Sequence, residues 1–159
     1  MTLDMKRVFS TEVEDWSKQK HVRERLKFLD AHRRSGENWI CVELGLYLES
    51  SGSWSQIKVE EPYAHPYSRK RCDIVIEKDA ANLWVEVAHI WQWHQAKGRF
   101  KCKEDLARAT RGIPSAGTHS GMLLIFLVSR PRWFDERFEQ WVQERQREGQ
   151  VLLVNLDLS

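Results

Sequence analysis

The stretch that decides the fold is Arg71-Cys72-Asp73-Ile74-Val75-Ile76-Glu77 followed by Leu83-Trp84-Val85-Glu86-Val87-Ala88-His89-Ile90. Two runs rich in β-branched and apolar residues, joined by a connection of a few residues, are typical of an antiparallel hairpin. If the turn is centred between residues 79 and 80, the numbers of paired residues add up to 159, and Asp73 faces Glu86. The sequence therefore predicts two carboxylates side by side on one face of a hairpin.

Paired carboxylates at this spacing indicate a cation site. Directly opposed residues have Cβ atoms about 5 Å apart, where like charges destabilise the sheet unless a positive charge lies between them. Mg²⁺ takes one or two carboxylates and completes its shell with water and phosphate oxygens. Glu43 adds a third candidate ligand, because it lies in the otherwise apolar helical segment 39–46, where a carboxylate needs a cation or an exposed helix edge. A position on the helix surface remains the alternative for Glu43.

The rest of the chain predicts the element order α-α-β-β-β-α-β-α-β. The continuous apolar run 122–128 indicates a central strand that is covered on both faces and parallel to a neighbour. This pattern predicts an α/β fold, a mixed central β-sheet flanked by helices, in a single domain spanning residues 1–159. The predicted helices are about 12–34 (from the capping box Thr11-Glu12-Val13-Glu14), 37–49, 103–111 and a segment around 134–142, and the predicted strands are 54–59, 71–77, 82–90, 122–128 and 151–156.

Composition excludes several classes of protein. Three scattered cysteines in 159 residues suit neither a disulfide framework nor a cysteine zinc site, and a reducing cytoplasm is expected. Neither a signal peptide nor a run of about 20 apolar residues is found, so no membrane association is expected. The sequence has no Gly-rich phosphate loop and no GxSxG motif, which argues against a kinase, an ATPase or a serine hydrolase.

The acidic residues and the element order resemble the PD-(D/E)XK nuclease superfamily over residues 37–128. That family has an acid in its first core helix, an Asp near the start of one strand and an E-x-K tripeptide on the next. The resemblance implies a restriction-endonuclease-like αβββαβ core, here with an N-terminal helix and a C-terminal helix-strand extension. It also implies that Glu43 is the helix acid, Asp73 the motif Asp and Glu86 the motif Glu, and that the Val87 backbone carbonyl is a further metal ligand. Mg²⁺, which Mn²⁺ can replace, is the implied cofactor.

The chain departs from the family at Ala88, where the lysine of E-x-K is expected. That lysine orients or activates the attacking water and offsets charge on the phosphate, roles that a methyl group cannot fill. Three explanations are open. A cation has moved in from Arg71, Lys58 or Lys70; or the protein is a natural non-catalytic relative; or Ala88 is an engineered Lys→Ala change, which the well-matched flanking residues favour slightly.

The resemblance implies Mg²⁺-dependent phosphodiester hydrolysis of nucleic acid, by an endonuclease with DNA preferred over RNA. The alternative is a non-catalytic nucleic-acid-binding or protein-interaction module that retains the nuclease fold. Trp91 and Trp93 beside basic residues predict a surface for stacked bases, and core packing or a homodimer interface explains them equally well. The candidate nucleic-acid contacts are Lys70, Arg71, Lys101, Lys103 and Arg108.

Overall fold

The computed structural model describes residues 2–92 and 94–156 of the chain. It confirms the predicted α/β class, a five-stranded mixed sheet flanked by helices. None of the helices in the described residues is long and apolar enough to cross a membrane. The elements are α1 Thr2–Ser17, α2 Lys20–Ala31, α3 Glu37–Ser51, β1 Gln56–Pro62, β2 Arg71–Lys78, β3 Ala81–Ile90, α4 Gly98–Arg111, β4 Thr118–Leu127, α5 Glu136–Arg147 and β5 Val151–Asn155.

The strands follow one another across the sheet in chain order, β1-β2-β3-β4-β5. The first two pairings are antiparallel and the last two are parallel. The apolar run in β4 is buried on both faces, as predicted for a parallel central strand. Met122, Leu124 and Phe126 pack in the core beneath α1, α2 and α3, whereas Leu123 and Ile125 pack beneath α4 and α5.

The hairpin between β2 and β3 has the predicted register. Val75 pairs with Trp84 and Ile74 with Val85, so the turn is centred where the sequence placed it. Asp79 and Ala80 both have positive φ, 51° and 64°. That backbone conformation matches the right-handed twist of the flanking strands in a two-residue turn. The turn therefore fixes which side chains of β2 and β3 share a face.

The prediction of one helix over 12–34 was wrong, because the segment 2–31 forms two helices, α1 and α2. The buried residues of α1, Phe9, Val13 and Trp16, recur every three or four positions. Continuing that stripe would leave Val22 and Leu26 on the wrong side, since Val22 lies six positions after Trp16 and the stripe repeats every three or four. A break at Lys18 and Gln19 lets both helices bury their apolar faces, and Thr11 lies inside α1 and caps nothing.

Candidate active site

The two strands of the hairpin separate near the predicted carboxylates. Pairing between β2 and β3 extends as far as Ile74 and Val85. β2 is paired with β1 along its length, so before Ile74 it keeps only that neighbour, with Cys72 opposite Glu61, while β3 continues to Ile90 beside β4. We call the opening between residues 71–73 and residues 86–90 the β2–β3 fork.

Beyond Val85, β3 has no backbone partner on β2, and carboxylate side chains lie in its place. The Val87 N–H donates to Asp73 Oδ2 at 2.8 Å, and the carboxylate of Glu37 interacts with the backbone of His89. Residues 87 and 89 present their N–H groups to the same side of the strand, so both carboxylates lie in the fork. Burial raises the pKa of Asp73, although the bond from Val87 lowers it.

Glu86 lies at the bottom of the fork and is 4 % exposed. The Tyr63 hydroxyl donates to its Oε1 at 2.6 Å. Burial, and then the negative charge of Asp73, raise the pKa of Glu86 to about 9. Glu86 and Asp73 are joined by a side-chain hydrogen bond, so the pair shares one proton at neutral pH.

Helix α4 brings two cations and a further carboxylate to the fork. Lys101 Nζ lies 2.8 Å from Asp105 Oδ2 and 3.6 Å from Glu37 Oε1. Arg108 pairs with Asp105, and its Nε lies 3.9 Å from Glu86 Oε1. That Nε is buried and has no hydrogen-bond partner among the described residues. The spacing of three and four residues along α4 places all three of its charged groups on one helix face.

The charges in the fork fit a small divalent cation. Among the described residues, the carboxylates that interact there are Glu37, Asp73, Glu86 and Asp105, and the cations are Lys101 and Arg108. With every carboxyl ionised, the cluster has a formal charge of −2. No group of three or more His, Cys, Asp or Glu is arranged as a metal cage in the described part of the chain. Mg²⁺ does not require such a cage, because one or two carboxylates and several waters satisfy it.

Asp73 and Glu86 are therefore the residues that would hold the ion. The Val87 carbonyl faces the same side of β3 as its N–H, toward Asp73, because the two groups of one strand residue point the same way. Its role as a ligand stays a prediction.

The structure does not bring Glu43 to this pair. Within the described residues, the α3 groups that interact with Asp73 are Glu37 and Cys41, which are four residues apart on one helix face. Around the helix, Glu43 lies about 60° from the buried residue Ile40 and about 100° from the buried residue Leu44. The helical spacing of Glu37 with those two apolar residues was the signal that could have identified it.

The predicted basic contacts separate into two groups. Lys101 and Arg108 lie in the fork, whereas Lys103 Nζ lies 5.6 Å from the ring centre of Trp141. Lys70 and Arg71 are exposed, and Arg71 donates to the backbone oxygen of Glu60. The expectation that Arg71 faces Ala88 was wrong, because the pairing between β2 and β3 ends at Ile74 and Val85, before it reaches these two residues. Lys58 of β1 lies opposite Val75 of β2. Trp93 lies outside the described residues.

Comparisons with known proteins give a fold likeness alone. No family model matches the chain, and no curated protein matches its sequence. Among solved structures, the chain is similar to that of Pyrococcus furiosus SfsA in complex with Ca²⁺, at 15 % identity and a TM-score of 0.37. The alignment covers 72 % of this chain and 51 % of that one, so this chain matches about half the length of SfsA. At this level of similarity, nothing about activity follows from it.

Proposed function

We propose that this protein hydrolyses phosphodiester bonds of nucleic acid with the help of Mg²⁺ or Mn²⁺, as a DNA endonuclease. The observation that supports this function most directly is the pair Asp73 and Glu86, held together in the fork beside the cations of α4. Carboxylates that hold a divalent cation next to a positive side chain are suited to a phosphate, whose charge increases in the transition state.

Each residue has a distinct role in this proposal. A bound Mg²⁺ would polarise the phosphate and lower the pKa of the attacking water. Asp73 and Glu86 hold the ion, and the bond from Val87 N–H fixes the orientation of Asp73. Tyr63 is 3 % exposed and holds Glu86 in place through its hydroxyl. Arg108, whose Nε lies 3.9 Å from Glu86 Oε1, adds positive charge beside the ion.

A basic surface around the start of α4 supports nucleic acid as the substrate. A cleft of about 760 Å³ is lined by His94, Arg130 and Arg132. The His94 ring packs against Gly98, three residues before Lys101, so this cleft adjoins the fork. A second groove, of about 250 Å³, carries Arg99, Lys103 and Arg137 between α4 and α5. These cations suit the backbone phosphates on either side of a scissile bond; Lys103, Lys70 and Arg71 remain proposed contacts.

The test is cleavage of labelled single-stranded, double-stranded and branched DNA, and of RNA, with Mg²⁺ or Mn²⁺. We expect the unaltered chain to cut DNA and Asp73→Asn to lose at least about 1,000-fold in rate, the scale of one essential group that stabilises transition-state charge. Asp79→Asn is the matched control, because it removes a carboxylate of the same hairpin at the turn, where Asn tolerates the positive φ.

Two outcomes would contradict the proposal. Binding of DNA without cleavage at any metal concentration would identify a non-catalytic binding module. If no nucleic acid is cut or bound, a protein-interaction module is the remaining function.

A further inference from the structure

The position where a lysine was expected holds a buried methyl group and no charge. Ala88 is 2 % exposed and belongs to the apolar cluster that includes Cys102 and Leu106 of α4. The positive charge beside Asp73 and Glu86 must therefore come from another element.

Helix α4 supplies that charge through Lys101. The Lys101 ammonium is within 4 Å of two carboxylates, Asp105 and Glu37, and its charge also acts on Asp73. Its side chain remains 49 % exposed, whereas Asp105 is 1 % exposed. The buried carboxylate of Asp105 thus holds the ammonium in position, and the ammonium remains accessible to a ligand that enters the fork.

We infer that Lys101 is the catalytic cation of this site, in place of the lysine expected at position 88. This inference rests on the proposed hydrolysis. Water adds to phosphorus and one ester P–O bond breaks, while the proton of the water passes to solvent and the leaving oxygen takes one from solvent. Lys101 exchanges no proton in this step. Its ammonium contacts a nonbridging phosphate oxygen and stabilises the negative charge that accumulates there.

Asp105 is a positioning residue in this arrangement. It accepts from Lys101 at 2.8 Å and also pairs with Arg108, so one buried carboxylate orients both cations toward the fork. Glu37, the first residue of α3, forms a second ion pair with the Lys101 ammonium. Residues of both α3 and α4 therefore hold Lys101 in position. A lysine on β3 would not need these contacts.

The experiment compares single-turnover cleavage by the unaltered chain, Lys101→Ala, Lys101→Arg and Lys20→Ala. Lys20 is the matched control, an exposed helix lysine that pairs only weakly with Glu24, at 3.8 Å. We expect Lys101→Ala to slow cleavage by about 100-fold or more and Lys101→Arg to retain part of the rate. Lys20→Ala should cleave like the unaltered chain.

Two further measurements separate a catalytic lysine from a structural one. Methylammonium added to Lys101→Ala should restore part of the rate in a concentration-dependent manner, whereas tetramethylammonium, which donates no hydrogen bond, should not. The affinity for Mn²⁺ should stay equal or increase by up to about tenfold, because a positive charge has been removed beside the carboxylates.

The outcomes distinguish this inference from the proposed function. If the unaltered chain cuts and Lys101→Ala cuts within about threefold of it, Lys101 is not the catalytic cation although the hydrolysis stands. The same conclusion follows if Lys101→Ala loses cleavage but amines do not rescue it and Mn²⁺ affinity falls. If Lys101→Ala does not fold, Lys101→Arg decides, since unchanged Mn²⁺ affinity with reduced cleavage is then required. A chain that cuts nothing fails the proposed function itself.

Discussion

The two halves of one hairpin differ in how their backbone hydrogen bonds are satisfied. In the closed half, residues 74–78 and 81–85 pair with each other, and Ile74, Ile76 and Leu83 are fully buried. In the β2–β3 fork, the side-chain carboxylate of Asp73 accepts the Val87 N–H instead, and the carboxylate of Glu37 lies beside the backbone of His89. The closed half is apolar and the fork is ionic, although they are consecutive along the same strands.

This difference explains why charged side chains are concentrated in the fork. Buried N–H groups that lose their strand partner need other acceptors. Carboxylates satisfy them, and each one brings a negative charge that requires compensation. Lys101 and Arg108 supply part of that compensation, and the shared proton of Glu86 supplies more. We therefore expect substitutions in the closed half to destabilise the protein and a neutral substitution in the fork to stabilise it.

The largest effect on stability is expected in the closed half. Leu83→Ala should lower the free energy of unfolding by about 2–5 kcal/mol, because it leaves a cavity in the core beneath α1, α2 and α3. Urea denaturation followed by circular dichroism measures this. A loss below about 1 kcal/mol would mean that the closed half is not the rigid support of the fork.

The second effect has the opposite sign and lies in the fork. Glu86→Gln should raise the free energy of unfolding at pH 7 by at least about 1.4 kcal/mol, the equivalent of one pKa unit. The amide can still accept from Tyr63 and donate to Asp73, but it has no charge to bury. Destabilisation by Glu86→Gln would contradict the shared proton.

The stabilisation by Glu86→Gln should depend on pH in a defined direction. The folded protein holds the proton of Glu86 up to about pH 9, while the unfolded chain releases it above about 4.5. Unfolding therefore releases a proton between these values, and stability falls as pH rises across this window. In Glu86→Gln this decrease should be shallower, and the difference between the two proteins should vanish below pH 4.5.

A smaller loss is expected from Tyr63→Phe. Removal of the hydroxyl takes one hydrogen bond from Glu86 and should lower the free energy of unfolding by about 1 kcal/mol. Tyr63→Phe in a Glu86→Ala background, where position 86 has no acceptor left, measures the coupling of the two groups in a double-mutant cycle. Additive effects in that cycle would show that the Tyr63 hydroxyl is not engaged with Glu86.

The sequence predicted the parts of the molecule that local patterns determine. Alternating residues and a short turn fixed the hairpin register, and with it the neighbouring positions of Asp73 and Glu86. The site residues that were missed depend on tertiary packing. Glu37 was missed because its position depends on how α3 packs against β3. Lys101 was predicted only as a nucleic-acid contact, because the predicted helix began five residues later than α4 does and left Lys101 outside it. Spacing within one strand could not show that the cation comes from a helix.

The claim that Asp73 and Glu86 hold a divalent cation in the fork is tested most directly by titrating the unaltered chain and Asp73→Asn with Mn²⁺, with the free ion followed by electron paramagnetic resonance. We predict saturable binding to the unaltered chain and at least about tenfold weaker binding to Asp73→Asn, since the variant loses one of two charged ligands. Equal affinities in the two proteins, or no binding by the unaltered chain at millimolar Mn²⁺, would contradict the assignment of the fork as a metal site.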